Sequence, residues 1–417
     1  MKNYLKQHYL LLLVLFSVPL LFVSCSSDDD ATDPVQEVLP PIELACDYFS
    51  ENPNAVLADE PNAPVDYIID CTMIIPDDVS IEPGVTIAFG QRAGLKVSSS
   101  GSLHAVGTSA NPIIFTATNN QNGWWGGIEY LSTNQNNKIS HALIEYAGAI
   151  LSDGNSVSGD AALSIDNDAS LELTNTVIQK SSEAGLFIAT RGITGSDEAR
   201  IAAVSLQGNT YTENKVPVSI PFYMVGNLGA GDDYSGNQED KVLIHSREFR
   251  GVTVSMNALN VPYKSTGRLH ISDGGGNPSH LTIQAGVELE MAAGSNFIVF
   301  GGPNYLTAVG TENEKIIIRG ASETPGSWQN IIFKRSGPAD LNILEHVDIS
   351  HARSDINNNG GALNLDFIND ALKLTLNHVH FSEIAGSNCP IDYVGDLSTL
   401  TFSNLSDDQG LLPNCLD

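Results

Sequence analysis

The sequence predicts an all-β protein, a single-stranded right-handed parallel β-helix (β-solenoid) of about 14 coils in two similar halves. Three observations carry this. Short segments alternate apolar and polar residues, as in Val85-Thr-Ile87, Leu95-Lys-Val97, Leu163-Ser-Ile165, Leu171-Glu-Leu173 and Leu374-Thr-Leu376. The chain repeats itself at an offset near 200 residues. A finer repeat returns after 32 residues.

Alternation with period two is the mark of a half-buried strand, and Gly, Asn, Ser and Asp between such segments supply turns. No amphipathic stretches of helical length separate them, so βαβ units are excluded. Tight two-residue hairpins do not dominate. An antiparallel sandwich or barrel and a parallel solenoid remain. The finer repeat decides between them. Leu344-Glu-His-Val-Asp-Ile-Ser350 matches Leu376-Asn-His-Val-His-Phe-Ser382. Near-identical strands at that spacing read as consecutive rungs stacked ~4.8 Å apart, giving a rod of about 65 Å. Right-handed coiling follows from the chirality of parallel crossovers.

The longer repeat pairs Ile81-Glu-Pro-Gly-Val-Thr-Ile87 with Ile283-Gln-Ala-Gly-Val-Glu-Leu289, and Leu103–Thr108 with Leu306–Thr311. Gly123 and Trp125 match Gly326 and Trp328, and His141 matches His346. The resulting division is a signal peptide at 1–24, an acidic tether at 25–43 and an N-terminal cap at 44–75. A first half at 76–225, linking coils at 226–279, a second half at 280–385 and a C-terminal cap at 386–417 complete it.

The 417 residues carry 49 acidic and 20 basic side chains, a formal charge of −29. Such a surface repels nucleic acid, which is set aside as a partner. Charged residues are only 17% and hydrophobic ones 42%, which argues against a disordered acidic chain.

Lys2 and Lys6 precede an apolar run from Tyr9 to Phe22, too short for a helix of ~20 residues that spans a bilayer. The run ends in Leu21-Phe22-Val23-Ser24-Cys25, which resembles the bacterial lipobox, in which the Cys becomes the acylated N-terminus. Phe22 departs mildly from that pattern. Ser26-Ser27-Asp28-Asp29-Asp30 resembles the acidic surface-export tag of lipoproteins from the Bacteroidetes. These resemblances imply lipid anchoring through Cys25 at the outer membrane, with the body exposed at the cell surface. Loss of the two signal lysines leaves a mature charge near −31.

Cys46, Cys71, Cys389 and Cys415 remain. Export favours disulfides, and four cysteines allow three connectivities. Proximity along the chain favours Cys46–Cys71 and Cys389–Cys415. No Cys-x-x-Cys pair points to a metal.

Ile81–Ile87, Gly101-Ser-Leu-His-Ala-Val-Gly-Thr108, Asn111-Pro-Ile-Ile-Phe-Thr116 and Gly123-Trp-Trp-Gly-Gly-Ile128 are similar to segments of right-handed parallel β-helix proteins. The group is the pectin-lyase-like superfamily, in particular its bacterial surface lipoproteins, over about residues 65 to 385. The resemblance implies the fold. That superfamily mixes lyases, hydrolases and adhesins, so it implies no single activity.

A β-helix lyase needs Ca²⁺ or Arg to neutralise a uronate, and a base to take its C5 proton. Lys334-Arg335 and Arg247 with Arg250 are the closest basic pairs, in no recognised catalytic pattern. Asp166-Asn-Asp168 and Asp232-Asp233 are candidate Ca²⁺ fragments, but each lies where turns favour Asp. Gly231-Asp-Asp233 matches one part of the galacturonan-hydrolase pattern, whose other parts are absent. No cofactor follows firmly.

Stacking of the 32-residue repeat places His346 over His378 and Asp348 over His380. His346 and Asp348 share a face at i,i+2, as do His378 and His380, so three imidazoles and a carboxylate converge, a set suited to a transition metal or to acid–base work. The competing reading is an exposed polar ladder. Trp125 and Trp328 recur beside Gly, as packing residues do. Trp124 has Ser327 as its counterpart and is the better candidate for stacking on a sugar, flanked by Asn119, Asn120, Gln121 and Asn122.

The sequence therefore favours a non-enzymatic surface lipoprotein presenting a binding face to extracellular carbohydrate or another surface partner. A glycan-active lyase and a structural spacer are the alternatives. Cys25→Ala is expected to abolish incorporation of radiolabelled palmitate and to release the protein from membranes. Undiminished labelling would refute the lipobox.

Overall fold

A computed structural model describes residues 38–151, 161–166, 168–189, 203–245, 248–272, 277–301, 304–334, 341–353, 361–366, 374–386, 389–394 and 400–412. Among these, α-helix is confined to Tyr48–Glu51, and the strands pair in parallel.

In the first half the chain visits three sheets in rotation. One holds Ile42–Glu43, Tyr67–Ile69, Thr86–Phe89, Ile113–Ala117, Ala142–Glu145, Val177–Gln179 and Thr210–Thr212. A second runs from Val56–Leu57 through Ser102–Val106 to Ala203–Gln207. The third starts at Thr72–Ile75 and passes through Gly94–Val97, Gly127–Tyr130, Ala161–Ile165 and Ala184–Ile188 to Val216–Pro221. Each strand thus pairs with its counterpart from the previous pass, not with its neighbour in sequence.

That register explains the alternating pattern. Met73, Leu95, Ile128, Leu163, Leu186 and Val218 lie one above another and are buried. Ile283, Ala308, Leu344 and Leu376 form a matching row in the second half. A full aliphatic side chain contributes about 1.5–3 kcal/mol on burial, so identical rows accumulate stability with every pass.

Trp125 is fully buried and stacks on Phe89 at 4.1 Å, and its Nε1 donates to the Glu145 carbonyl at 2.8 Å. Trp328 repeats this role, donating to the Ser350 carbonyl at 2.8 Å. Both recurring tryptophans are packing residues.

The two halves join through the third sheet. Ser219 pairs with Leu243, Leu243 with Lys264, Lys264 with Glu290 and Glu290 with Arg319. The duplicated strands consequently occupy different sheets. Ile87 lies in the seven-stranded sheet, whereas its repeat partner Leu289 lies in the sheet that runs through both halves. Ile81 and Ile87 lie in two different sheets, whereas their repeat partners Ile283 and Leu289 both lie in the sheet that runs through both halves. A 3₁₀ helix, Phe222–Asn227, sits at the junction with Phe222, Tyr223, Met224 and Val225 buried.

Cys46 and Cys71 form a disulfide across 25 residues, with Cα atoms 6.0 Å apart. It ties the short helix, with Phe49 buried, to the first pass. Cys389 is also disulfide-bonded. Cys415 and Cys25 lie outside the described residues, as do 1–37. Cys71→Ser is expected to lower unfolding free energy by roughly 3 kcal/mol, read from urea denaturation. An unchanged midpoint would remove the staple from the account.

Candidate functional site

The strands meet at corners, and the corners hold residues in the left-handed region. His141 (φ 49°) and Asn175 (φ 49°) occupy one corner of the first half; Tyr146 (φ 64°), Lys180 (φ 57°) and Glu213 (φ 55°) occupy another. In the second half, His346 (φ 50°), His378 (φ 51°) and Asn404 (φ 53°) form one ladder, and His351 (φ 59°) with Glu383 (φ 51°) a second. Non-glycine residues seldom adopt this conformation. Here it persists because hydrogen-bonded legs on both sides fix the bend. Buried asparagines satisfy the backbone nearby. Asn214 accepts from the Ser181 N–H at 2.9 Å and donates to the Ile178 carbonyl at 2.9 Å.

The histidine constellation forms only in part. The rings of His346 and His378 stack, centroids 4.4 Å apart and 12° from parallel. Asp348 pairs in register with His380. The two pairs do not share a face, however. His346 is itself the corner. Residues before it pair with Tyr305–Val309 and residues after it with Ile316–Gly320. The left-handed turn breaks the i,i+2 relation on which convergence rested. Asp348 then receives Lys315 Nζ at 3.1 Å on both oxygens. His380 meets Ser406 Oγ at 2.9 Å and Asp408 Oδ1 at 3.3 Å. Among the described residues, no group of three or more His, Cys, Asp or Glu is arranged to hold a metal. The arrangement is a polar ladder whose members bind one another.

The carboxylates of Asp232 and Asp233 are occupied within their own loop. The buried Asp232 accepts from the Asn209 N–H at 2.7 Å and the Tyr234 hydroxyl at 3.2 Å. Burial raises its pKa, against those hydrogen bonds. Asp233 Oδ1 accepts from the Ser235 N–H, the Ser235 hydroxyl and Asn260, which together lower its pKa. This loop lies over Thr210–Thr212, with Tyr234 stacked on Tyr211. The Asp166 backbone carbonyl accepts from the Ala169 N–H at 3.0 Å, closing a turn in which Asp168 lies; Asn167 is outside the described residues.

Trp124 is half-buried, unlike Trp125. Its Nε1 donates to Thr118 Oγ1 at 3.0 Å, and its N–H to the Tyr146 carbonyl at 2.9 Å. Tyr146 is also half-buried, and Lys180 Nζ stands 4.9 Å from its ring centroid and 3.3 Å from its hydroxyl. Beside them, Glu145 accepts from Thr116 at 3.0 Å, Gln179 at 2.8 Å and Lys180 at 3.4 Å. Asn119, Asn120, Gln121 and Asn122 are exposed in the same loop.

Several pairings escape sequence reasoning because their partners are distant along the chain. Lys96 and Glu129 form an ion pair at 3.1 Å on an outward row, almost fully buried. Ser219 Oγ lies 2.6 Å from His245 Nε2. Glu290 joins Lys241 at 2.6 Å and Arg319 at 3.0 Å. Only the register between strands of neighbouring passes brings these residues together.

No family model, no curated protein and no solved structure matches the chain.

Burial lowers the pKa of His280, whose ring lies on Tyr305 at 3.8 Å. The unfolded chain therefore takes up this proton at higher pH than the folded one. The stabilisation is complete above the unfolded pKa of about 6.5 and is lost as pH falls from there through the lower folded value. His280→Gln is expected to make Tm decline less between pH 7 and pH 5. An unaltered slope would contradict the assignment.

Proposed function

We propose that the passes form one right-handed parallel β-helix of the pectin-lyase-like type. It is a non-enzymatic body, lipid-anchored through Cys25 at the outer membrane and exposed at the cell surface. Its role is to present a binding face to extracellular carbohydrate or another surface partner.

The observation that carries this reading is the organisation of the outward side chains. They run in rows along the stack and bond to their neighbours in adjacent passes, as Glu145 does with Thr116 and Gln179, and Asn377 with Glu345 at 2.8 Å and Ser403 at 2.8 Å. Side chains held in this way form a preorganised surface, which lowers the ordering cost of binding. The half-exposed Trp124 and Tyr146 interrupt an otherwise polar edge, and such amphipathic aromatics are enriched at recognition surfaces. The lipobox and the triple Asp after Cys25 support the address.

A glycan array and a panel of extracellular-matrix proteins test the function. Saturable binding to at least one of them is expected, with no unsaturated ends released from uronate polysaccharides with or without Ca²⁺. Release of such ends would make the protein a lyase instead. Absence of any binding would leave the spacer reading.

A further inference from the structure

We infer that the corner built by Trp124 and Tyr146, flanked by Arg92 and Lys180, is a saccharide-binding edge whose ligand is a neutral hexose-based glycan. This rests on the binding role proposed above and gives it a place and a ligand class.

The four residues occupy successive passes. The Arg92 N–H donates to the Trp124 carbonyl at 2.8 Å, the Trp124 N–H to the Tyr146 carbonyl at 2.9 Å, and Lys180 lies over the Tyr146 ring. Successive parallel strands are about 4.8 Å apart, and the backbone bond from Trp124 to Tyr146 places the two aromatic residues on neighbouring passes of one edge. Part of each packs on the core and part remains open. The hydrogen bond from Trp124 Nε1 to Thr118 and the contacts of Tyr146 with Lys180 fix both in place. Rigid aromatic side chains offer contact area at small entropic cost.

The fold itself does not require these aromatics. The backbone carbonyls that accept from the two buried tryptophans belong to Glu145 and Ser350, so Tyr146 corresponds to His351. Trp124 likewise corresponds to Ser327, and Lys180 to Glu383 one pass later. The second half makes the same corner from Ser327, His351 and Glu383, with His351 Nε2 3.0 Å from Glu383. Packing is satisfied there without Trp or Tyr. Among the described residues, the pairing of Trp and Tyr at this corner belongs to the first half.

Charge selects the ligand class. The Lys180 ammonium is engaged by Glu145 and by Tyr146. The Arg92 guanidinium is turned to the carbonyls of Ile150 at 3.1 Å and Leu151 at 3.4 Å. Neither cation is directed at an incoming carboxylate, and the chain's charge of −29 repels polyanions. The exposed amides of Asn119, Asn120, Gln121 and Asn122 offer both donors and acceptors, which suits hydroxyl groups.

Affinity electrophoresis of the detergent-solubilised full-length protein tests this. Gels would contain xyloglucan, hydroxyethyl cellulose, galactomannan or, as the anionic comparison, polygalacturonate. Retardation by at least one neutral polysaccharide is expected. Trp124→Ser and Tyr146→His, which install the residues that the second half already carries, should each weaken it about tenfold. The far-UV circular dichroism of both variants should match that of the parent, and Ser327→Ala should bind as the parent does. Equal retardation of parent, Trp124→Ser and Tyr146→His would overturn this edge while leaving glycan binding intact. Stronger retardation by polygalacturonate would overturn the neutral class. No retardation of the parent in any gel would overturn both this edge and the carbohydrate reading it rests on.

Discussion

Everything in this molecule depends on the parallel hydrogen-bonded ladder between one pass of the chain and the next. Because a strand pairs with its counterpart from the previous pass, each side chain lies on one of the same orientation. A slip of one residue would turn every buried side chain outward. The pattern is therefore strongly specified, and Met73, Leu95, Ile128 and Leu163 can form one dry row. The ladder also over-determines the corners. Left-handed residues such as His346 and Tyr146 hold their conformation because both flanking legs are fixed.

The same constraint decides what the outer surface can do. Outward residues form rows, so a charged residue finds its partner one pass away: Lys96 with Glu129, Lys315 with Asp348, Lys334 with Asp366. The exposed pairs contribute little to stability, about 0–1 kcal/mol each. Their effect is to commit side chains to one another, as with His380, Ser406 and Asp408. At the Trp124 edge the commitment takes a different form. Hydrogen bonds hold the aromatic rings still and leave part of their surface open.

The strand segments, their parallel stacking and the Cys46–Cys71 link were legible in the sequence, because alternation and loop length are local signals. The stacking of His346 on His378 was legible from the 32-residue repeat. The convergence of Asp348 with His346 was misread because a period-two argument holds only within an unbroken strand. Histidine is enriched in the left-handed region among non-glycine residues, and His141, His346, His351 and His378 all adopt it, but Glu345-His346-Val347 carries no glycine to mark the bend. The change of sheet between the two copies is also hidden. Sequence similarity aligns Ile87 with Leu289 but does not say which sheet each joins. That choice is made at the junction, where Phe222–Asn227 and the loop carrying Asp232 redirect the chain.

The junction carries the join between the two halves. If the two halves share one sheet, Ser219 and Leu243 are direct parallel neighbours. Their Cα atoms would then be about 4.8 Å apart, inside the range a disulfide spans. The decisive measurement is oxidative cross-linking of Ser219→Cys with Leu243→Cys, mapped by mass spectrometry of the folded protein. The shared sheet predicts rapid, near-complete formation of that bond, and none between Ser219→Cys and Lys264→Cys, one pass further on. Failure of the first pair to close, or closure of the second in its place, would contradict it.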